Sequence, residues 1–330
     1  MSYMTVIGAG SWGTTLAHLL ALKEYDVTLW ALEKNIVEEI NQSHTNSTYL
    51  QGEPLSLDIR ATGDLKDAVK KARYILNAVP TQFIRRVFKD VSDSILQDAV
   101  IISASKGIEQ GTLLTASSIF QEITGRKAAV LSGPSFAKEV IKKAPTAVTL
   151  AMEETAEGLH LQEIFNTSYF RVYTHTDVLG VELGGALKNV IAIASGISDG
   201  LELGHNARAA LITRGLAEIV RLGKAMGADP RTFSGLSGLG DLVLTCTGPL
   251  SRNYSVGVNL GKGMTLRDIL SSTKSVAEGV ATALSAYELS RKFNVEMPIV
   301  EHVYSVIYKD EAPVEAVKML MNRTLKSEFS

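Results

Sequence analysis

The chain of 330 residues contains a single cysteine, Cys246. One thiol excludes an intramolecular disulfide framework and fits a reducing compartment. No histidine is placed to activate it, so Cys246 is expected to be a small packed residue rather than a nucleophile. An excess of one charge is also lacking: 33 Lys and Arg stand against 35 Asp and Glu, a formal net charge of −2. Nucleic acid and anionic membranes are therefore not expected partners, and any anionic ligand must be held by local arrangement. No stretch approaches eighteen consecutive apolar residues, and the first residues read as a strand, without the basic segment and apolar core of a secretory leader. There is no internal repeat, low-complexity tract or metal-ligand pattern. The expectation is a soluble cytoplasmic protein with no metal site and no stable membrane insertion.

The length suggests two domains. Up to about Tyr173, short β-branched apolar runs alternate with helical patterns, which predicts a parallel sheet wrapped by helices. Strands are expected at residues 5–7, 27–30, 74–79, 100–103, 129–131 and 147–150. Beyond about Thr174 helical periodicity takes over, with Asn206 as an expected N-cap, a long helix to Met226, and Gly227 and Pro230 as stop signals. The reading is an α/β domain over 1–178 and an all-α domain over 179–330. Ser234-Gly235-Leu236-Ser237-Gly238-Leu239-Gly240 reads as a tight loop that brings backbone close to something.

Gly8-Ala9-Gly10-Ser11-Trp12-Gly13 follows the first strand and opens a helix, which is the context that gives a glycine fingerprint meaning. Gly8 permits the tight turn, Gly10 the approach of a pyrophosphate, and Gly13 close packing of helix on strand. Dinucleotide binding follows, with the helix N-terminus facing phosphate. After the second strand comes Ala31. Glu33 could reach a ribose 2′-hydroxyl, whereas Lys34 could pair with a 2′-phosphate, so NAD is favoured and NADP stays open.

Gly185-Ala186-Leu187-Lys188-Asn189 sets a lysine on a helix whose neighbouring positions include Gly184, Gly185, Ala192 and Ser195, with Val181 and Ile191 the exceptions. A small molecule could approach an amine there, and a rigid, accessible, partly desolvated lysine suits general acid work. The other reading is a small-residue stripe for close helix packing. In an open sheet, ligands bind beyond the strands' carboxyl ends. That singles out Asn77-Ala78-Val79-Pro80, Ser105-Lys106-Gly107, and Gly133-Pro134-Ser135-Phe136-Ala137. Lys106 could face a phosphate, polarise a carbonyl or simply be solvated. In the helical half, Arg252 and Asn253 suit a phosphate dianion; the other reading is an N-capping serine or asparagine, Ser251 or Asn253, beside a surface arginine. Asp241 could orient Lys188, accept a substrate hydroxyl or belong to an ordinary turn.

Together the glycine fingerprint with Trp12, Gly133 to Ala137, Gly185 to Asn189 through Asp199-Gly200 to Gly204-His205-Asn206, and Ser251-Arg252-Asn253 resemble NAD(P)-dependent glycerol-3-phosphate dehydrogenases of the bacterial soluble type, from residue 4 to about 300. The resemblance implies a Rossmann-type doubly wound domain followed by a helical one. It implies reduction of dihydroxyacetone phosphate to sn-glycerol 3-phosphate, a phospholipid precursor. Lys188 becomes the proton donor and acceptor, and Lys106, Gly133, Ser135, Asp241, Ser251, Arg252 and Asn253 surround the substrate. Ser11, Trp12, Lys106, Ala137, Arg252, Val276 and Glu278 would contact NAD or NADP. The family often has a basic residue just after the position of Trp30; Ala31-Leu32-Glu33 departs from that. A homodimer is the expected assembly. The alternatives are a β-hydroxy-acid dehydrogenase of related plan, or a nicotinamide-binding sensor without turnover.

Overall fold

The computed structural model describes residues 3–271, 277–325 and 327–328. Eight strands form one sheet: β1 (Tyr3–Ile7), β2 (Asp26–Trp30), β3 (Ile59–Thr62), β4 (Tyr74–Asn77), β5 (Val100–Ser103), β6 (Ala128–Ser132), β7 (Thr146–Ala151) and β8 (Phe170–His175). Their order is β3-β2-β1-β4-β5-β6-β7-β8. The chain therefore reverses direction across the sheet between β1 and β4, and a crevice opens there beyond the strand ends. β1 to β6 run parallel, their inward runs buried on both faces.

The all-parallel expectation fails at β7, which pairs antiparallel with β6. The connection between them carries only the four-residue helix Ala137–Val140, too little for the crossover that a parallel partner needs. Two strands escaped the sequence reading. β3 is a four-residue strand at the sheet edge, and β8 alternates buried Phe170 and Val172 with exposed Arg171 and Tyr173, as a half-solvated edge strand does.

After β8 the described residues are helical. Asp177 begins this half: its Oδ1 accepts from Gly180 N at 2.9 Å, while its Oδ2 accepts from Thr232 Oγ1 at 2.6 Å and Asp229 N at 3.0 Å. Helix Val178–Gly200 then runs through the middle of the domain and seeds its core with Leu183, Leu187, Val190 and Ile191. By length and hydropathy it could cross a membrane, yet 89% of its apolar window lies buried inside the protein, as befits a core helix. The next helix, Gly204–Ala225, is capped by Leu203 and not by Asn206, which lies exposed inside the first turn. The positive φ of Gly204, +82°, lets the chain turn straight from one helix into the next.

Candidate active site

The central helix is not bare around Lys188. A Cβ on Gly184 would stand 2.7 Å from the Ser237 carbonyl oxygen, and one on Gly185 would stand 2.6 Å from Ser132 Oγ. Ser195 donates to the Cys246 carbonyl at 2.9 Å. The small residues therefore admit neighbouring segments, backbone at Gly184 and side chains of Ser132 and Lys106 at Gly185, as the packing alternative required. Lys188 is correspondingly only 6% exposed, deeper than the accessible amine expected from the sequence.

The same device continues toward the helix's end. Gly196 and Gly200 face Gly257 and Gly261 of helix Arg252–Gly261, with backbone atoms of each helix where the other's side chains would be. Two glycines at i, i+4 on both helices bring the axes into backbone contact. This sets the N-terminus of helix Arg252–Gly261, with Ser251, Arg252 and Asn253, beside the middle of the central helix.

Glycine-rich Leu236–Gly240 forms a wide π-type turn that runs directly into helix Asp241–Thr247. The close approach of Ser237 to Gly184 delivers Asp241 onto the central helix. Asp241, 1% exposed, accepts from Lys188 Nζ on Oδ1 at 2.5 Å and from Lys106 Nζ on Oδ2 at 2.7 Å. Lys106 also donates to the Gly133 carbonyl at 2.8 Å. Gly133, at φ +138°, lies against Val148 with no room for a side chain. One carboxylate thus joins residues from β5's end, the central helix and a following helix.

Thr245, one turn beyond Asp241, completes the cage by accepting from Lys188 Nζ at 2.7 Å. The sequence reading gave it no role, although its i+4 spacing from Asp241 was the available signal. Burial pulls the Lys188 pKa down to about 8, with the Lys106 charge adding to the fall and Asp241 opposing it. Burial pushes the neighbouring Cys246 thiol up to about 12, which agrees with an inert packed cysteine.

Asn253 is engaged differently from the expected free phosphate ligand. Its Nδ2 donates to Asn189 Oδ1 at 2.8 Å and its Oδ1 accepts from Gly279 N at 2.9 Å. Asn189 in turn donates to the Lys106 carbonyl at 3.0 Å. Glu278 accepts from Thr81 N at 2.9 Å, so the start of helix Glu278–Lys292 is tied to the loop after β4. Asn77, buried at β4's end, donates to Ser105 Oγ at 2.8 Å and thereby joins the loops after β4 and β5. Ser251 is a true N-cap, accepting from Tyr254 N at 3.2 Å. Ser135 turns inward onto the Gly133 carbonyl at 2.9 Å. Arg252 stands exposed, with no hydrogen-bond partner among the described residues.

The cofactor residues gather at the other side of the crevice. Gly8, at φ +108°, donates its N–H to the Trp30 carbonyl at 3.0 Å. Gly13 packs where a Cβ would strike the Gly8 carbonyl, whereas a Cβ on Gly10 would meet nothing within 4 Å. Helix Ser11–Ala21 begins there with no side-chain cap. An open cradle at an uncapped helix N-terminus fits a pyrophosphate. The indole N–H of Trp12 is buried without an acceptor among the described residues. Ala137 adjoins this helix, its carbonyl accepting from Thr15 Oγ1 at 3.4 Å. Glu33 lies exposed just beyond β2, and Lys34 opens the following helix. Val276 lies outside the described residues.

Comparison with known proteins gives two family matches. Residues 3–157 match the family described as NAD-dependent glycerol-3-phosphate dehydrogenase N-terminus, and residues 177–318 match the corresponding C-terminus. The chain is 56% identical to a glycerol-3-phosphate dehydrogenase (NAD(P)+) of Geobacter sp. (strain M21), with 98% of each chain covered. It is 53% identical to the protein of that name from Geobacter sulfurreducens, again over 98% of each. A crystal structure of glycerol-3-phosphate dehydrogenase from Coxiella burnetii superposes with a TM-score of 0.94 at 39% identity, covering 98% of this chain and 99% of that one.

Proposed function

The chain belongs to the NAD-dependent glycerol-3-phosphate dehydrogenase family, an NAD(P)-dependent oxidoreductase group acting on CH–OH, and on that premise we propose how its own residues carry the reaction. The reaction is the reversible reduction of dihydroxyacetone phosphate to sn-glycerol 3-phosphate. A bound nicotinamide cofactor supplies the hydride, or takes it up in reverse. In the reducing direction the carbonyl oxygen gains negative charge, and Lys188 Nζ stabilises it and gives it a proton. In the oxidising direction the neutral amine takes the hydroxyl proton. An ammonium that loses its proton near pH 8 can serve both directions close to neutrality.

The observation that carries this reading is the carboxylate of Asp241 shared by Lys188 and Lys106. The shared carboxylate aims Nζ of Lys188 and offsets the cost of two ammonium groups in a poorly solvated place. Arg252 anchors the substrate phosphate, since its guanidinium is exposed beside an N-terminal helix turn and makes no hydrogen bond among the described residues. Asn253 acts through Asn189 to hold the Lys106 loop, with one amide hydrogen left for substrate. Gly133 and Ser135 line the same mouth. Gly8, Gly10, Ser11, Trp12 and Gly13 hold the dinucleotide phosphates, with Ala137, Lys106, Arg252 and Glu278 around the rest.

Glu33, three residues beyond β2 at the N-cap of the next helix, favours NADH over NADPH. The product is of the class consumed by acylation in glycerophospholipid synthesis, and the enzyme works in the cytoplasm as a homodimer. Family membership displaces the β-hydroxy-acid and sensor alternatives.

The test is oxidation of NADH and of NADPH by purified protein with dihydroxyacetone phosphate. Turnover with neither, despite saturable cofactor binding, would overturn the activity. Lys188→Ala should lose turnover and keep cofactor affinity; a folded variant with near-normal turnover removes Lys188 from the reaction.

A further inference from the structure

The segment after helix Lys34–Ser43 forms a closed hydrogen-bonded link between the glycine loop and Glu33. Asn46, fully buried, donates through Nδ2 to the Ala9 carbonyl and to Thr14 Oγ1, both at 2.9 Å. Its own carbonyl accepts from Tyr49 N at 3.2 Å and Leu50 N at 2.8 Å. That turn sets the Tyr49 ring against the core under helix Ser11–Ala21. The Tyr49 hydroxyl then reaches out and donates to Glu33 Oε1 at 3.0 Å.

Glu33 has backbone in the extended region at the N-cap of its helix, and its side chain would otherwise be a free surface carboxylate. With Oε1 engaged, Oε2 has no partner among the described residues. β1 and β2 pair in register up to Ile7 and Trp30, so Glu33 emerges on the same edge as the glycine loop. That edge is where the adenosine ribose of a dinucleotide lies.

We propose that Tyr49 is a positioning residue for cofactor discrimination: its hydroxyl pins Glu33 so that the carboxylate accepts from the ribose 2′-hydroxyl of NADH and repels the 2′-phosphate of NADPH. The inference rests on the NADH preference proposed above. Without the hydroxyl, the exposed Glu33 can rotate away, and Lys34 next to it can pair with a 2′-phosphate. Like charge held in place excludes a ligand; like charge free to move does so far less.

The experiment compares kcat/KM for NADH with that for NADPH in the wild type, Y49F, E33Q and the double variant. E33Q should lower the NADH to NADPH ratio about tenfold or more. Y49F, which keeps the packed ring, should lower it about three- to tenfold, mainly through better use of NADPH. In the E33Q background Y49F should change the ratio no further, because Tyr49 acts only through Glu33. A ratio unmoved by Y49F, or moved equally with and without Glu33, overturns the inference while a wild-type preference for NADH stands. A wild-type preference for NADPH overturns the cofactor reading and this inference with it.

Discussion

Asp241→Asn is the substitution that bears most directly on the chemistry. The side chain keeps its shape, but the one negative charge between Lys188 and Lys106 disappears. A pair of unit charges at about 4 Å and an effective dielectric near 20 interacts by about 4 kcal/mol. Removing that attraction disfavours the Lys188 ammonium by close to three powers of ten, and the Lys106 charge still opposes it. In the wild type, kcat/KM for dihydroxyacetone phosphate should fall as pH rises through about 8, where Lys188 gives up its proton. In Asp241→Asn that limb should move toward acid by at least about two pH units, so reduction near pH 7 falls about tenfold or more. The assay is initial rates across pH, with cofactor affinity and thermal unfolding measured alongside to establish that the variant is folded. A limb that stays in place, or moves to higher pH, refutes the argument that Asp241 maintains the charge on Lys188.

Arg252→Ala should reduce kcat/KM for dihydroxyacetone phosphate about ten- to a hundredfold and have little effect with unphosphorylated dihydroxyacetone; equal losses on both would show that Arg252 is no phosphate anchor. Gly196→Ala places a methyl group against the Tyr254 carbonyl, so it should cost about 1 to 3 kcal/mol and lower turnover by displacing the Arg252 helix; unchanged unfolding by urea would contradict that packing. Glu218, buried and accepting from Ile299 N and Val300 N at 2.8 and 3.2 Å, has its pKa raised to about 7 by burial. Its folded value lies above its unfolded one, so its stabilising contribution is complete below about pH 4.5 and is lost as pH rises through about 7, on the order of 3 kcal/mol. Glu218→Gln should remove that part of the pH dependence of urea unfolding, and identical slopes for the two proteins would refute it.

The glycine fingerprint was legible because each glycine answers a local demand: a positive φ at Gly8, and backbone against backbone at Gly13. All six expected strands matched within a residue or two at each end, since buried strands are continuous apolar runs. β3 and β8 were not legible, because edge strands mix Arg60, Arg171 and Tyr173 into short apolar patterns. The antiparallel turn to β7 depended on how little helix the connection carries, which periodicity does not weigh. Asn206 read as a cap by residue type alone, whereas the helix start was set by the turn at Gly204.

The list of polar residues beside Lys188 was available from the chain, and the alternatives for each were mostly between a role and a surface position. Which alternative held depended on partners far away in sequence. Asp241 meets Lys188 across 53 residues and Lys106 across 135, and Asn253 meets Asn189 across 64. The sequence by itself determined the α/β and helical halves, the dinucleotide turn and the identity of the groups able to do the chemistry, because these rest on local dihedral demands and on period. That the stripe around Lys188 is filled by neighbouring segments, that two lysines share one carboxylate, and that Asn253 bonds to Asn189 emerged only from the folded arrangement. Those outcomes are set by close packing between distant segments, where glycine removes the steric obstacle and burial makes every unpaired charge costly.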